Sequence, residues 1–343
     1  MTHPHTANRN HKIIFDTDPG IDDAMALLLA LVSPEIEVVG VTTVFGNSHV
    51  EATTRNALNL LDLAGRPDIP VAKGADRPMV LPRGQTGEFV HGDDAMGNIG
   101  WTAVHNPDQK PLDLPAAQFI VETIMARPGE ITLVAVGPLT NVGLALQLEP
   151  RIAQAARNVV IMGGSVATPG NVSPLAEANI HNDPHAAALV FGAGWDVTMA
   201  GLDVTMAVRM DEALFAALRH SGNRLAQFIG RIVPFYQQFH RERYGYPDGG
   251  VDTHDPSAIA YLIDPTLFHA ERWSVVVPLD GPAMGATIAD RRGFFWTTPK
   301  VNCLMQVDAA RFLEMFLARL TALRPRTHPE PANQVGANSP GIQ

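Results

Sequence analysis

The sequence is poor in cysteine, in basic residues and in long apolar runs. Its 343 residues include one cysteine, Cys303, so no disulfide can form within the chain. Val301 and Leu304 lie close to this cysteine and predict that it belongs to a strand interior and is not a reactive thiol. Such cysteine usage is typical of a reducing compartment, and we expect a cytoplasmic protein.

Long apolar segments are missing as well. The most apolar run, residues 24–32, is too short to span a bilayer. The first twelve residues are polar and lack the apolar stretch of a signal peptide. We therefore expect no membrane partner.

Positive charge is scarce, since 25 basic residues face 35 acidic ones and the formal net charge is -10. This charge repels phosphate backbones, and no run of Lys or Arg offers a local exception, so nucleic-acid polymers are not expected partners. Hydrophobic residues make up 46% of the chain and charged residues 17%, which favours a compact globule over a disordered chain.

Strand-like and helix-like patterns alternate along the chain. The first four are a strand over 12–18, a helix over 22–32, a strand over 36–44, and a helix over 50–64 that Gly65 ends. Further apolar strands are predicted over 131–136, 158–164 and 195–201. Such strands are typical of a mainly parallel sheet that helices cover on both faces.

Two later strand candidates, within 272–281 and 285–290, have no helix between them and predict an antiparallel extension at one sheet edge. We therefore predict a single Rossmann-like α/β domain over 12–322, with flexible termini at 1–11 and 325–343. In such sheets, ligand sites lie beyond the carboxyl ends of the strands.

The segment DTDPGIDD places four carboxylates in one strand-to-helix turn: Asp16, Asp18, Asp22 and Asp23. Helix capping explains one or two of these acids, but not all four. Because like charges so close together repel, the cluster predicts a neutralising divalent cation. Oxygen ligands suit calcium or magnesium, and no Cys/His cluster indicates zinc.

The spacing DxDPGxDD followed by an apolar helix resembles the signature of the nucleoside hydrolase family. Further motifs follow in the order typical of that family: VFGN at 44–47, VHGDD at 90–94, VAVGPLTN at 134–141, VIMGG at 160–164, NVSPLAEAN at 171–179, DP at 183–184 and HDP at 254–256. The resemblance extends over roughly 12–320 and implies a hydrolase that splits ribonucleosides into free base and ribose.

The resemblance also implies a metal site. Asp18, Asp23, Asp255 and the backbone carbonyl of Val136 would hold Ca2+ together with water and two ribose hydroxyls. Asp18 would in addition take a proton from the bound water. Asp16 would orient its neighbours through hydrogen bonds.

By the same resemblance, a group of amide and acidic side chains would hold the ribose: Asp22, Asn47, Asn171, Glu177 and Asn179. His254 would protonate the leaving base, and His91 would line the base pocket. The resemblance further implies a homodimer or a homotetramer. The helical segment 235–246 either supplies a lid over the base or is an ordinary amphipathic helix.

Some positions bear on specificity. Val136 replaces a Thr found in some relatives, which a carbonyl ligand tolerates, and Ala178 stands where a bulky aromatic residue is common. His91 and His254 are both present without Trp at either position, which resembles the pyrimidine-preferring or broad branch of the family. Trp101 leaves the purine-specific alternative open.

Other functions are compatible with parts of the sequence. Asp16-Thr17-Asp18 after a strand is similar to the start of magnesium-dependent haloacid-dehalogenase-like phosphatases, but that similarity leaves Asp22 and Asp23 unexplained. A calcium- or nucleoside-binding protein without turnover is the second alternative. A dinucleotide-binding oxidoreductase is disfavoured, since no GxGxxG follows the first strand.

Overall fold

The computed structural model describes residues 10–297 and 299–322. Within them, strands run as follows: β1 His11–Thr17, β2 Ile36–Thr43, β3 Val71–Lys73, β4 Ile131–Ala135, β5 Asn158–Met162, β6 Val197–Ala200, β7 Arg209–Met210, β8 Val251–Asp252, β9 Phe268–Val276, β10 Ile288–Asp290 and β11 Lys300–Val307. Of the termini predicted to be flexible, 1–11 and 325–343, residues 1–9 and 325–343 lie outside the described residues. His11 already belongs to β1, so the ordered fold begins earlier than predicted.

Helices fill most of the connections between these strands. They are α1 Ile21–Val32, α2 Val50–Ala64, α3 Glu88–His91, α4 Ala116–Ala126, α5 Thr140–Leu148, α6 Ile152–Ala155, α7 Ala178–Asn182, α8 Pro184–Gly192, α9 Leu202–Thr205, α10 Glu212–His220, α11 Arg224–Tyr244, α12 Pro256–Ile263 and α13 Ala309–Thr321. None of the helices in the described ranges combines the length and apolarity needed to cross a bilayer.

Nine strands form one sheet in the order β10-β9-β11-β6-β5-β4-β1-β2-β3. The seven strands from β11 to β3 pair in parallel. β9 and β10 add to this sheet in antiparallel register. The prediction of a mainly parallel α/β sheet with an antiparallel extension is therefore confirmed. β7 and β8 form a separate two-stranded ribbon.

Each central strand sends alternate side chains to opposite faces of the sheet. In β1, Ile13 and Phe15 join the core that α1, α11 and α12 cover, whereas Ile14 joins the core that α4, α5 and α8 cover. Successive strand residues point to opposite faces, so a strand buried on both sides must be apolar throughout. This is why the central strands appear as uninterrupted apolar runs in the sequence.

Helix α1 is the most enclosed helix of the fold, since all of its residues are buried. It starts directly after the Pro19-Gly20 turn, and α12 and α11 pack against it. The predicted end of α2 is also confirmed, because Gly65 adopts the left-handed conformation there with φ 70°. Cys303 lies fully buried in β11, as its neighbours predict.

The sheet order places β4 on one side of β1 and β2 on the other. The chain connections from β1 therefore diverge at this point, which is where open α/β sheets leave a crevice for a ligand. The turn 18–20 after β1, Asn47 after β2 and Val136 after β4 all lie at this edge of the sheet.

Candidate active site at the strand ends

Asp23 lies in the first turn of α1, and its carboxylate organises the turn that precedes the helix. One oxygen accepts hydrogen bonds from the Thr17 hydroxyl and the Asp18 amide, and the other accepts from the Gly20 amide at 2.9 Å. The side-chain amide of Asn47 donates to that second oxygen at 2.8 Å. A fully buried carboxylate with four donors is held in one orientation.

Asp18 is buried beside Asp23, but only half of its carboxylate is satisfied. Oδ2 accepts a hydrogen bond from the Asn47 backbone amide at 2.7 Å. Oδ1 is buried and has no hydrogen-bond partner within the described part of the chain. Burial raises the pKa of Asp18 well above its usual range, and the charge of Asp23 raises it further. Oδ1 of Asp18 is therefore an oxygen that can take a proton or bind a cation.

Asp16 faces away from the turn, into the layer between β1, β2 and α5. Its Oδ1 accepts hydrogen bonds from the Thr42 hydroxyl and from the Asn141 side chain, the latter at 2.8 Å. Asn141 also donates to the Thr43 carbonyl. Burial raises the pKa of Asp16 to about 7. These contacts suit the orienting role predicted for Asp16, and Asn141 is a support that the sequence reasoning missed.

Three carboxylates from two distant parts of the chain converge next to Asp18. The ligand oxygens of Asp22, Asp23 and Asp255 lie within 4.8 Å of one another, and all three residues are buried. Asp255 directly precedes α12, and the packing of α12 against α1 brings it to this position. Burial raises the pKa of Asp255 well above its usual range, and its carboxylate neighbours raise it further.

These residues fit a hard divalent cation. Oδ1 of Asp22, like Oδ1 of Asp18, is buried without a hydrogen-bond partner among the described residues. The charges that raise the pKa values of Asp18 and Asp255 are those of neighbouring carboxylates. A bound cation would therefore reduce the repulsion between these buried carboxylates. The convergent group includes Asp22 in addition to the predicted Asp23 and Asp255, and Asp18 lies at its edge.

The carbonyl of Val136 projects from the end of β4 and accepts a hydrogen bond from the Asn179 side chain at 2.7 Å. The same amide donates to the Met162 carbonyl at the end of β5, at 3.2 Å. A carbonyl oxygen has two lone pairs, so the Val136 oxygen can accept this bond and still bind a cation. Asn179 thus joins the ends of two strands at the site.

Glu177 is almost completely buried and caps α7. Its carboxylate accepts hydrogen bonds from the backbone amides of Asn179, Gly164 and Ile180. Burial is the largest cause that raises the pKa of Glu177 to about 7. Asn171 lies next to this cap, and its side-chain oxygen accepts from the Ala178 amide at 3.0 Å. Ala178 is half-buried.

His91 contacts the N-terminus of α1. Its Nδ1 accepts a hydrogen bond from the Ile21 amide at 3.1 Å and lies 3.9 Å from Oδ1 of Asp22. Burial lowers the pKa of His91 to about 4, so the ring is neutral near pH 7. Its ring stacks on Tyr236 of α11, with centroids 5.5 Å apart. The predicted residue therefore adjoins the carboxylate cluster.

His254 is half-buried immediately before Asp255, and its Nδ1 lies 3.0 Å from the Thr205 hydroxyl. Burial lowers the pKa of His254 to about 3, and the histidines His240 and His91 lower it further. The ring is therefore neutral near pH 7. The contact with Thr205 leaves Nε2 available to a ligand.

The segment over 235–246 forms the end of α11 and a short loop. Tyr236 and His240 are buried, whereas Tyr244 and Tyr246 are half-buried and Arg241 is exposed, so the helical part is amphipathic as predicted. The proposed lid function stays a prediction.

Trp101 stacks on Phe228 in the core, with centroids 4.9 Å apart, and lies edge-on to His105.

Two glycines, Gly46 and Gly137, leave room for the carboxylate of Asp18. A β-carbon at Gly46 would lie 2.0 Å from Oδ2 of Asp18, and one at Gly137 would lie 2.5 Å from Oδ1. Real β-carbons do not approach other atoms so closely, so a side chain at either position would displace the Asp18 carboxylate. Sequence reasoning missed these roles, although Gly46 lies three residues after the end of β2 and Gly137 two residues after the end of β4.

The fold and its strand-end site define a mainly parallel α/β protein with a buried carboxylate cluster, and comparison with known proteins identifies the family. Residues 13–314 match the family model of the inosine-uridine preferring nucleoside hydrolases. The chain belongs to this family and is an N-ribosyl hydrolase, which confirms the resemblance found in the sequence. The haloacid-dehalogenase-like phosphatase interpretation is thereby disfavoured.

Similar proteins cover almost the whole chain. The probable uridine nucleosidase 2 of Arabidopsis thaliana is 40% identical over 317 residues, which are 90% of this chain and 97% of that protein. The inosine-uridine preferring nucleoside hydrolase of Leishmania major is 42% identical over 301 residues, 86% of this chain and 91% of its own length.

Among solved structures, the plant nucleoside hydrolase PpNRh1 superimposes with a TM-score of 0.87 at 36% identity. The match covers 91% of this chain and 99% of that one. The α/β architecture predicted from the sequence is therefore that of the family.

Proposed function

We propose that this protein is a calcium-dependent hydrolase of ribonucleosides with a pyrimidine-preferring or broad specificity. The observation that carries the proposal is the convergence of Asp22, Asp23 and Asp255 within 4.8 Å, beside the unpartnered oxygen of Asp18. A set of buried carboxylates at the switch point of the sheet suits a reaction that needs a cation, a base and a bound sugar.

The donor set favours calcium. The proposed ligands, Asp18, Asp23, Asp255 and the Val136 carbonyl, offer only oxygen atoms, and they come from three separate segments of the chain. Calcium accepts six to eight oxygen ligands in flexible geometry, whereas magnesium requires a strict octahedron. When bound, the cation would lower the pKa of a coordinated water and hold two ribose hydroxyls.

Asp18 is the proposed base. Its Oδ1 has no competing donor, and the same burial that raises its pKa increases its affinity for a proton. The Asn47 amide holds the other oxygen, so the carboxylate cannot rotate away. The proton of the attacking water would go to Oδ1 of Asp18.

The ribose would be held by amide and acidic side chains around the cluster: Asp22, Asn47, Asn171, Glu177 and Asn179. As the glycosidic bond breaks, positive charge develops on the sugar. A buried carboxylate such as Glu177 stabilises that charge more strongly than an exposed one, because little water screens it.

His254 is the proposed proton donor to the leaving base, and His91 is the proposed wall of the base pocket. Burial keeps the free His254 ring neutral, so the ring must first take a proton from solvent and then transfer it from Nε2 as the imidazolium. Trp101 packs against Phe228 in the core, which supports a pocket without a tryptophan stack on the base. The name of the Arabidopsis relative, a uridine nucleosidase, points to the same preference.

The test is release of free base and ribose from uridine, cytidine, inosine and adenosine, each with and without a calcium chelator. We expect release that the chelator abolishes and that added Ca2+ restores, with uridine or cytidine among the best substrates. Release that is insensitive to the chelator would refute the calcium requirement. Thermal stabilisation by nucleosides without any release would instead indicate a binding protein.

Deoxyuridine tests the sugar contacts. If a ribose hydroxyl binds the cation, removal of the 2′-hydroxyl should lower kcat/KM by at least about 100-fold, since the loss leaves buried polar groups unpaired. Equal turnover of uridine and deoxyuridine would refute this part of the proposal.

We also propose a cytoplasmic location and a homodimeric or homotetrameric assembly. The single cysteine supports the location, since it is buried in β11 and forms no disulfide. Phe294 and Phe295 support assembly, since they are 78% and 74% exposed in the loop after β10. Analytical ultracentrifugation of the wild type and of a Phe294→Ser, Phe295→Ser variant tests the assembly.

A further inference from the structure

A second group of metal-ligating side chains lies beside the carboxylate cluster. His240 belongs to α11, Asp252 ends β8, and His254 follows two residues later. One ligand atom from each lies within 4.8 Å of the other two. Unlike the carboxylate cluster, this group offers two imidazole nitrogens, which are ligands that zinc-type cations prefer and calcium does not.

The His240 ring is oriented as a metal ligand would be. Its Nδ1 lies 2.9 Å from the Tyr236 carbonyl, to which it donates, so Nε2 carries a free lone pair. Nε2 is buried, has no hydrogen-bond partner in the described ranges and points at Oδ2 of Asp252 from 3.8 Å. The side chain is 1% exposed, so bulk solvent does not reach this nitrogen.

The other two ligands also have outer partners. The Tyr246 hydroxyl lies 3.2 Å from one oxygen of Asp252 and 3.4 Å from the other. The Thr205 hydroxyl contacts Nδ1 of His254, which directs Nε2 of that ring elsewhere. Ligating histidines and carboxylates in metal sites are held by such second contacts.

The spacing is compatible with a small closing movement. Tetrahedral zinc with ligands at 2.0–2.1 Å holds donor atoms about 3.4 Å apart. Nε2 of His240 and Oδ2 of Asp252 are 3.8 Å apart, so about 0.4 Å of approach suffices for this pair. His254 is the half-buried member of the group and offers the route by which an ion enters.

We propose that His240, Asp252 and His254 form a second metal site that binds Zn2+ in preference to Ca2+, and that its occupation inhibits the hydrolase. The inhibition rests on the proposed function, because zinc would occupy Nε2 of His254, the nitrogen that carries the proton for the leaving base. With zinc on Nε2, the ring proton lies on Nδ1 and is donated to the Thr205 hydroxyl. Metal binding itself does not depend on that function.

A purely structural His–Asp pair is the competing explanation. It accounts for the burial of both residues, but it leaves Nε2 of His240 beyond hydrogen-bond distance of Asp252. It also predicts no metal binding, so the two explanations are separable by experiment.

The binding test uses Co2+ as a coloured substitute for Zn2+, added to the full-length protein with Ca2+ in excess to fill the carboxylate cluster. We expect one Co2+ per chain, with the visible absorption of a low-coordinate, nitrogen-ligated ion, displaced by Zn2+. His240→Ala and Asp252→Asn should each weaken this binding by at least about tenfold. Circular dichroism and Ca2+ binding establish whether each variant is folded. If one variant does not fold, the other still tests the site.

His220→Ala is the matched control. His220 contacts the carbonyl four residues earlier on its helix through Nδ1, as His240 does, but it is exposed at the end of α10. This variant should bind Co2+ like the wild type. Equal Co2+ affinity in the wild type and the His240→Ala variant, or no nitrogen-ligated absorption in the wild type, would overturn the site.

Inhibition is measured separately, by base release from uridine at increasing Zn2+ with Ca2+ in excess. We expect zinc to inhibit the wild type and the His220→Ala variant at least about tenfold more strongly than the Asp252→Asn variant. If the active wild type binds cobalt but zinc does not inhibit it, the metal site is supported and its inhibitory role is overturned. Failure of the hydrolase itself would leave the absorption result intact.

Discussion

Gly137 lies so close to Asp18 that a β-carbon at position 137 would be 2.5 Å from Oδ1 of the aspartate. Gly137 directly follows the carbonyl of Val136, and Asp18 follows β1, so the contact joins the ends of two adjacent strands. The oxygen concerned is the one without a hydrogen-bond partner among the described residues. The absence of a side chain at 137 therefore sets the position of the proposed base.

Gly137→Ala should displace the Asp18 carboxylate and lower kcat for uridine by at least about tenfold, since positioning errors below 1 Å are costly in catalysis. Gly84→Ala is the matched control, because a β-carbon there meets nothing within 4 Å. Steady-state kinetics and thermal unfolding of both variants test this. An unchanged kcat in a folded Gly137→Ala variant would contradict the expectation.

Asp18→Asn should lower kcat by about 10²–10⁴-fold, because the amide cannot accept the proton of the attacking water. The substitution preserves shape and keeps an oxygen that can accept from the Asn47 amide, so the fold should persist. Asp108→Asn, at an exposed loop position, is the control. Turnover near that of the wild type would exclude Asp18 as the base.

His254→Ala should slow uridine hydrolysis by about 10²–10⁴-fold, because the leaving base would lose its donor. A riboside with p-nitrophenol as leaving group needs no protonation, so its hydrolysis should fall less than about tenfold. The ratio of the two rates is the measurement, with His220→Ala as the reference. Equal losses on both substrates would indicate that His254 acts on binding or on the fold.

Calcium binding should tighten as pH rises. Asp22 is proposed to hold the ribose, but its carboxylate converges with those of the proposed calcium ligands Asp23 and Asp255. Burial raises the pKa of Asp22 to about 6, so this carboxyl holds a proton below that pH in the calcium-free protein. A calcium ion next to Asp22 favours its ionised form, so between pH 5 and 6 binding releases this proton, with a change of up to about tenfold in affinity per pH unit for each proton released.

Isothermal titration in two buffers of different ionisation enthalpy measures both the affinity and the protons released. Proton release should be larger at about pH 5 than at about pH 7, since Asp22 is already ionised at the higher pH. A calcium affinity that does not change with pH, without proton release, would show that the cation does not bind next to this carboxylate.

Much of the fold was predictable because local patterns determine it. The apolar run of β1, the helix after Gly20 and the left-handed end of α2 at Gly65 follow from period, turn residues and capping. The antiparallel strands β9 and β10 were predictable because no helix separates them. The order of the strands, by contrast, depends on packing between segments far apart in the sequence.

The site divides in the same way. Asp18, Asp22 and Asp23 are neighbours in the sequence, so their mutual repulsion was predictable from spacing alone. That Asp255 joins them required the packing of α12 against α1. The space that Gly46 and Gly137 provide, and the support that Asn141 gives to Asp16, are properties of neighbouring strand ends and have no local pattern.

The sequence by itself determined the class of the protein: an α/β protein of the nucleoside hydrolase family, whose acidic turn between β1 and α1 predicts a bound cation. Tertiary structure alone brought His240 of α11 to Asp252 and His254, a nitrogen-rich group where no Cys/His spacing predicted one. The physical reason is that sequence spacing records only charges and periods along one segment. Burial, by contrast, decides which side chains from separate segments share a site and which of their atoms are left without a partner.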